Sequence, residues 1–282
     1  MVVSLAGWRM VPYPESMMEP EVTTSEQSHL EDGVRHLADL IASSPRIVAF
    51  TGAGISTESA IPDFRSPGGV WDRNQPIQYA DFLARSEARR ETWRRGLETY
   101  PVVAAARPNP AHLALVALER RGQLTAIVTQ NIDGLHHQAG HAPERVIELH
   151  GNAHGVRCLN CAMEAPRADV QARVIAGEAE PPCVACGGIL KPTTISFGEP
   201  MPRAPLVAAE RSVRAADLVL VVGSSLVVYP AAGLPVVGLQ SGAKLAIVNQ
   251  TTTPLDAQAH LVVRGKAGAV LPAAVERAAG VK

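Results

Sequence analysis

Short apolar runs recur along the chain and alternate with segments long enough to form helices. The first run, residues 47–50, stops at Thr51-Gly52-Ala53-Gly54, a pattern that predicts a strand, a glycine turn and the start of a helix. Because the alternation continues, we expect a parallel sheet with crossover helices, that is, an α/β fold. The other predicted strands are residues 124–128, 146–149, 218–222, 245–248 and 261–263.

One of the crossover helices carries clear end signals. Asn109 is predicted to be its N-cap and Pro110 its first residue, and Gly122 is predicted to end it. The pattern of apolar positions places three side chains on one face of this helix: Leu113, Val116 and Ala117.

Two segments interrupt the alternation of strands and helices. Residues 62–107 are polar and rich in arginine, and residues 152–190 carry all the cysteines. We predict that these two inserts together form a small helical, metal-binding domain beside the sheet. The sheet domain would then comprise residues 31–61, 108–151 and 191–282, and residues 1–30 would be a flexible tail.

The charge balance argues against partners that are bound through a strong electrostatic field. The 26 basic and 27 acidic residues give a net charge of −1, so we expect no direct binding to nucleic acid. Residues 218–243 contain no charged side chain, but glycine, serine and proline residues interrupt them. We therefore predict a strand, a loop and a short helix there rather than a membrane span.

The cysteines form two Cys-x-x-Cys pairs, Cys158/Cys161 and Cys183/Cys186, with 21 residues between them. Two such pairs can give four thiolates to one tetrahedral ion, and zinc is the ion that these ligands prefer, so we predict a structural zinc. A thioredoxin-like redox pair and four unliganded thiols are the alternatives. Because no cysteine is left for a disulfide framework, this usage also fits a reducing cytoplasm.

Polar residues follow several predicted strands, at the edge where parallel sheets bind ligands. The turn at Gly52 and Gly54 could admit a phosphate to backbone amides, although Thr57 replaces the third glycine of the dinucleotide fingerprint. Gln130, Asn131 and Asp133 follow the second strand.

His150 ends a further strand, where its imidazole is placed to act as a base. A purely structural His150 is the alternative. The other histidines of this region are predicted to lie on helix surfaces or in loops: His136, His137, His141 and His154.

Seven short blocks carry a recognisable pattern: residues 51–66 and 129–136, His150-Gly151, the cysteine pairs, Phe197-Gly198-Glu199, Gly223-Ser224-Ser225 and Val248-Asn249. In their order and spacing, these blocks resemble the sirtuin family of NAD-dependent protein deacylases. The likeness spans about residues 30–274 and implies a Rossmann-like parallel sheet domain with a small zinc-binding domain formed by inserts. Within it, parts of residues 73–93 and 108–112 look most like the class II branch.

The resemblance also implies a role for each matching residue. His150 would be the catalytic base, Asn131 would order a ribose and a water, and the four cysteines would hold zinc. The implied NAD contacts are Gly52, Ala53, Gly54, Ser56, Asp63, Phe64, Arg65, Gln130, Asn131, Asp133, Gly223, Ser224, Ser225 and Asn249. The implied contacts with the acyl-lysine protein or peptide are Ile132, Phe197, Gly198, Glu199, Leu226 and Val227.

The reaction implied by the resemblance passes the acyl group of a lysine to ADP-ribose and releases nicotinamide. Succinyl and malonyl groups are disfavoured, because the Tyr-x-x-Arg pair of the family's desuccinylase branch is absent and Phe82 follows Tyr79 at that spacing. Mono-ADP-ribosylation of protein at the same site is one alternative, and a non-catalytic NAD- and zinc-binding module is another. The presence of both His150 and Asn131 favours deacylation.

Overall fold

The computed structural model describes residues 24–63 and 75–280, and a six-stranded parallel sheet forms the centre of this part of the chain. Every predicted apolar run forms a strand of this sheet, with ends within one residue of those predicted, so the α/β prediction is confirmed. The strands are β1 (Ile47–Thr51), β2 (Leu124–Thr129), β3 (Val146–Glu148), β7 (Leu218–Val222), β8 (Lys244–Val248) and β9 (Leu261–Val263). Their order across the sheet is β3-β2-β1-β7-β8-β9.

Both faces of the sheet are buried, as continuous apolar strands require. In β1, Ile47 and Ala49 pack into one hydrophobic cluster, whereas Val48 and Phe50 pack into the cluster on the opposite face. The first face is covered by α1 (Thr24–Ala42), α4 (Pro110–Arg120) and α9 (Ala267–Gly280). The second face is covered by α7 (Arg203–Arg214) and α8 (Leu234–Gln240).

The helix α4 has the predicted ends. The Asn109 side chain accepts a hydrogen bond from the backbone of Ala111 at 3.0 Å, and Gly122 follows the helix with a φ of +76°. The predicted apolar face was wrong for Leu113, whose side chain is 53% exposed. The residues that α4 buries are Ala111, His112, Ala114, Leu115, Val116 and Leu118.

The chain around the glycine turn differs from the prediction. Two short 3₁₀ turns, Ala53–Ile55 and Thr57–Ser59, follow β1 where the sequence pattern predicted the start of a helix. The left-handed conformation of Ala60, with a φ of +63°, ends the second turn. At the other end of the chain, α1 begins at Thr24, inside the segment that was predicted to be a tail.

The two inserts pack on each other. The first contributes α2 (Tyr79–Ala84) and α3 (Ser86–Ala105), and the second contributes β4 (Gly155–Cys158), β5 (Glu164–Pro166) and α6 (Arg167–Ile175). With β6 (Leu190–Pro192), the second insert forms an antiparallel sheet in the order β5-β4-β6. Trp93 of the first insert is fully buried against Val156, Val170 and Leu190 of this unit.

The uncharged stretch at residues 218–243 forms β7, a loop and α8. None of the helices in the described ranges, 24–63 and 75–280, has both the length and the apolar character needed to cross a membrane.

Candidate active site and metal centre

The carboxyl ends of the central strands lie level with one another. Thr51 at the end of β1 is in register with Thr129 of β2 and Val222 of β7, and Val222 is in register with Val248 of β8. The segments that follow these strands therefore meet at one edge of the sheet, as the sequence predicted. They begin at Gly52, Gln130, Gly223 and Asn249.

Glycines allow two of these segments to touch backbone to backbone. The Gly54 amide donates a hydrogen bond to the Gly223 carbonyl at 2.8 Å, and a Cβ atom on Gly52 would lie 2.8 Å from the same carbonyl. At Gly223, which has a φ of +63°, a Cβ atom would lie 2.2 Å from the Ile55 nitrogen. This close packing of two loops explains the glycines, and Gly52 and Gly54 do not open an α-helix.

Asn131 is held at both its backbone and its side chain. Its amide nitrogen donates to Thr129 Oγ1 at 3.0 Å, while its Nδ2 donates to the Gly52 carbonyl at 3.2 Å and to Ser56 Oγ at 3.1 Å. Asn131 is 8% exposed. Because both Nδ2 hydrogens are used, its Oδ1 is the atom that can accept a hydrogen bond from a ligand.

Asp133 continues the same network. Its carboxylate accepts from Ser56 Oγ at 2.7 Å and from the Leu135 amide at 2.9 Å, where the short helix α5 (Leu135–Ala139) begins. Burial raises the pKa of Asp133, and the two hydrogen bonds oppose this by favouring the charged form. The His154 ring donates to the Asp133 carbonyl at 2.8 Å from the small unit.

His150 has one ring nitrogen fixed by the protein. Its Nδ1 lies 3.0 Å from the Gln130 carbonyl, which can only accept, so Nδ1 carries the proton and Nε2 is the basic atom. Burial lowers the pKa of His150, so the ring is neutral at pH 7. Beside it, Gly151 has a φ of +70°, and a Cβ atom there would lie 2.0 Å from the Thr193 carbonyl.

Neutral polar side chains line the remaining strand ends. Gln130 Nε2 donates to Ser224 Oγ at 2.8 Å, which links the segment after β2 to the segment after β7. Asn249 is 8% exposed and its Nδ2 donates to the Thr251 carbonyl at 2.9 Å. Ser225 and Ala53 are half-buried.

The predicted peptide-binding residues divide into exposed and buried groups. Phe197 is 42% exposed, and its carbonyl accepts from the Tyr79 amide at 2.8 Å. Val227 is 46% exposed, whereas Leu226 is 2% exposed and packs into a hydrophobic cluster. The Leu226 side chain is therefore part of the core, and its amide donates to Ser224 Oγ at 3.3 Å. Ile132 is half-buried, and Gly198 is exposed with a φ of +78°.

Glu199 is bound internally. Its Oε2 accepts from Lys191 Nζ at 2.8 Å and from the Ser196 amide at 2.8 Å. Lys191 is 4% exposed and also donates to the Thr194 carbonyl at 2.5 Å. Burial lowers the pKa of Lys191, and the Glu199 carboxylate opposes that shift. Glu199 thus fixes the loop that carries Phe197 and Gly198.

Two histidines near the site are buried, contrary to the sequence prediction. His136 and His141 were predicted to be on a surface or in loops, but they are 2% and 4% exposed, because α5 packs against α4. Lys191 was not recognised as part of the site region, because an isolated lysine gives no signal in the sequence. Thr129 lies in the recognised block of residues 129–136, but the sequence assigned it no role. Phe64 and Arg65 lie outside the described residues, and Asp63 is the last residue before that gap.

The four cysteines converge although they come from distant parts of the second insert. All four Sγ atoms lie within 4.8 Å of one another, with 3.6 Å between those of Cys158 and Cys186 and 3.7 Å between those of Cys161 and Cys183. Zn–S bonds of about 2.3 Å in a tetrahedron place the sulfurs about 3.8 Å apart. The donor set thus fits a structural zinc, and none of the four cysteines forms a disulfide.

Comparison with known proteins gives one consistent result. The Sir2 family model matches residues 52–230. The "NAD-dependent protein deacetylase 1" of Bradyrhizobium diazoefficiens is 48% identical over 244 residues, which cover 86% of this chain and 96% of that protein. The "NAD-dependent protein deacylase 2" of Pyrobaculum aerophilum is 40% identical over 245 residues, covering 86% and 94%.

Solved structures agree with the sequence relatives. A structure described as Sir2 with a p53 peptide and NAD⁺ is 37% identical, with a TM-score of 0.80 and coverage of 88% of this chain and 99% of that one. Because the family model covers more than half of the chain, and because these relatives match it over most of their own length, the chain belongs to the Sir2 family.

Proposed function

We propose that this protein is an NAD-dependent protein-lysine deacylase, which transfers the acyl group to ADP-ribose and releases nicotinamide. Membership of the Sir2 family supports the proposal, as do relatives named as NAD-dependent protein deacetylases and deacylases. The observation that carries it is His150, a neutral imidazole whose Nδ1 is bound to the Gln130 carbonyl and whose Nε2 is left as a base.

His150 is assigned to proton transfer. When bound, NAD supplies the ADP-ribosyl group that receives the acyl group. Nε2 of His150 accepts the proton of a ribose hydroxyl, and the Gln130 carbonyl stabilises the resulting imidazolium through Nδ1. The lowered pKa keeps the base unprotonated at neutral pH.

The neutral polar groups at the strand ends are assigned to NAD. Hydroxyl and amide groups suit ribose hydroxyls and a carboxamide, and the side chains with this chemistry are Ser56, Gln130, Asn131, Ser224 and Asn249. Asn131 orders a ribose hydroxyl or a water through Oδ1. Asp133, fixed by Ser56 and by the start of α5, accepts from the carboxamide amine.

The acyl-lysine peptide is assigned to the surface that carries Phe197 and Val227. Both side chains are large, apolar and more than a third exposed, which is the surface that an acyl-lysine stem and an extended peptide require. Glu199 supports this surface from behind through Lys191.

Zinc has a structural role in this proposal. Four thiolates from Cys158, Cys161, Cys183 and Cys186 would hold the ion, and a four-thiolate site would leave no open position for a substrate. We also infer a cytoplasmic location, since all four thiols serve one metal cluster and are free of disulfides. Fractionation of the cells that produce the protein would test the location.

The proposal is tested by incubating the protein with NAD and a series of acyl-lysine peptides, with the products identified by mass. We expect free lysine peptide, nicotinamide and acyl-ADP-ribose. His150→Ala should lower turnover by about a hundred- to ten-thousandfold, the usual contribution of a general base, while NAD binding measured by calorimetry stays within a few-fold. His29→Ala, on the exposed surface of α1, is the matched control and should retain parental turnover. ADP-ribosylated protein as the main product would overturn the assignment, as would normal turnover in His150→Ala.

A further inference from the structure

Three histidines are buried behind the strand ends and have no role in the proposed reaction. His112 of α4, His136 of α5 and His141 are 0%, 2% and 4% exposed. The His136 ring centroid lies 5.0 Å from that of His112 and 5.7 Å from that of His141. Only His141 has a carboxylate contact in the described ranges, with Glu119.

His136 is connected to the active site by two threonines. Its Nε2 lies 3.0 Å from Thr51 Oγ1, and Thr51 Oγ1 donates to Thr129 Oγ1 at 2.8 Å. Thr129 Oγ1 in turn accepts the backbone amide of Asn131 at 3.0 Å. All four residues are buried, so water does not compete for these bonds.

The donor and acceptor roles in this series of hydrogen bonds determine the tautomer of His136. A threonine hydroxyl has one proton, and that of Thr51 is donated to Thr129, so Thr51 Oγ1 must accept from His136. His136 therefore carries its proton on Nε2. Its Nδ1 has no hydrogen-bond partner among residues 24–63 and 75–280. Burial also lowers the pKa of His136 well below its ordinary value, so the ring is neutral.

We propose that His136 is a positioning residue for Asn131, acting through Thr51 and Thr129, an inference that rests on the proposed deacylase function. The series of hydrogen bonds from His136 to Thr129 restrains the backbone of Asn131. The bonds from Asn131 Nδ2 to Gly52 and Ser56 restrain its side chain. The orientation of Asn131 Oδ1 therefore depends on the Nε2–H donor of His136, a buried group with no assigned contact with a substrate.

The test uses changes that preserve shape. Thr51→Val removes the Thr51 hydroxyl, and His136→Phe removes the ring N–H donor. His136→Gln supplies an N–H donor of similar length. Thr125→Val is the matched control, since Thr125 lies on β2 and donates to the Ile47 carbonyl at the opposite end of the sheet. We expect Thr51→Val and His136→Phe to lower kcat about ten- to a hundredfold with the peptide KM within about twofold, as expected for a misplaced catalytic group.

A second measurement reports on the restraint of the Asn131 backbone directly, without NAD or substrate. We expect the Asn131 amide to exchange its hydrogen at least about tenfold faster in Thr51→Val and His136→Phe, by nuclear magnetic resonance, because its acceptor is no longer held. His136→Gln should restore both slow exchange and most of kcat, and Thr125→Val should match the parent in both. Unchanged Asn131 exchange in Thr51→Val overturns the inference. So does a kcat loss that follows only the folded fraction and is not rescued by His136→Gln. A parent protein without deacylase activity would refute the proposed function, and the exchange measurement would still decide the role of His136.

Discussion

The buried position of His112 predicts that the protein loses stability between pH 7 and pH 5. This side chain is 0% exposed, and burial together with the neighbouring His141 lowers its pKa from 6.5 to about 4. In the unfolded chain the same imidazole takes up a proton near its ordinary pKa. Protons therefore favour the unfolded state as the pH falls below 6.5, and the loss is complete only below the folded pKa.

The size of the effect follows from the two pKa values of His112. At pH 5 the folded ring is mostly neutral, whereas the unfolded ring is about 1.5 pH units below its pKa, which corresponds to about 2 kcal/mol. Other ionisable groups also contribute to the pH dependence of the parent protein's stability. His136 and His150 have lowered pKa values and act in the same direction, while Asp133 and Glu148 have raised ones and act in the opposite direction.

The variant His112→Gln isolates the contribution of one ring. His112 Nδ1 accepts the Asn109 amide in the capping box of α4, and glutamine is a usual residue at that position, so the cap is preserved. We expect the parent to lose about 2 kcal/mol more than His112→Gln between pH 7 and pH 5. His29→Gln, on the exposed surface of α1, should lose as much as the parent.

The assay is urea denaturation followed by far-ultraviolet circular dichroism at both pH values, with zinc content measured in each sample. Acid also protonates the zinc ligands, but the parent and the variants share that effect. If the parent and His112→Gln lose the same unfolding free energy between pH 7 and pH 5, the reasoning is refuted. That result would show that the His112 ring stays hydrated, or takes up its proton, in the folded protein.

Two further changes have expected outcomes. Cys183→Ser should abolish zinc binding, measured by elemental analysis, and should lower the melting temperature, since structural zinc contributes on the order of 10 kcal/mol to small modules; a full equivalent of zinc in this variant would contradict the site. Lys191→Met should cost about 3 kcal/mol in denaturant unfolding, because it leaves the Glu199 carboxylate unpaired, and Lys191→Met/Glu199→Gln should recover part of that loss. A double variant no more stable than Lys191→Met would contradict this expectation.

The convergence of the site could be predicted from the sequence because it depends on local signals. Each strand is a continuous apolar run, and a polar segment follows directly, so Gln130, Asn131 and Gly223 reach one edge once the strands are parallel and level. The cysteine cluster was predictable for a similar reason, since each Cys-x-x-Cys pair is a local unit that brings two sulfurs together.

The burial of His136 and His141 could not be predicted from local signals. The helix α5 has five residues and no apolar periodicity, and its position is set by contact with α4, which is separated in the sequence by β2. Likewise, the glycine turn was expected to open a helix, but its glycines serve the approach of the segment after β7. Both outcomes depend on long-range packing, which local sequence patterns do not reveal.

The small unit that carries the cysteines and the sheet edge proposed to bind NAD are held mainly by different elements, so damage to each is expected to have a different effect. Cys158 is in register with Leu190, and the next residue of β6, Lys191, holds Glu199 and thereby the loop that carries Phe197. The glycine turn is held instead by β1 and by the segment after β7. Disorder at the metal site is therefore expected to reach the proposed peptide surface first, whereas the glycine turn is held by strands outside the inserts. Among the proposed NAD contacts, Asp133 is also contacted by the small unit, through His154.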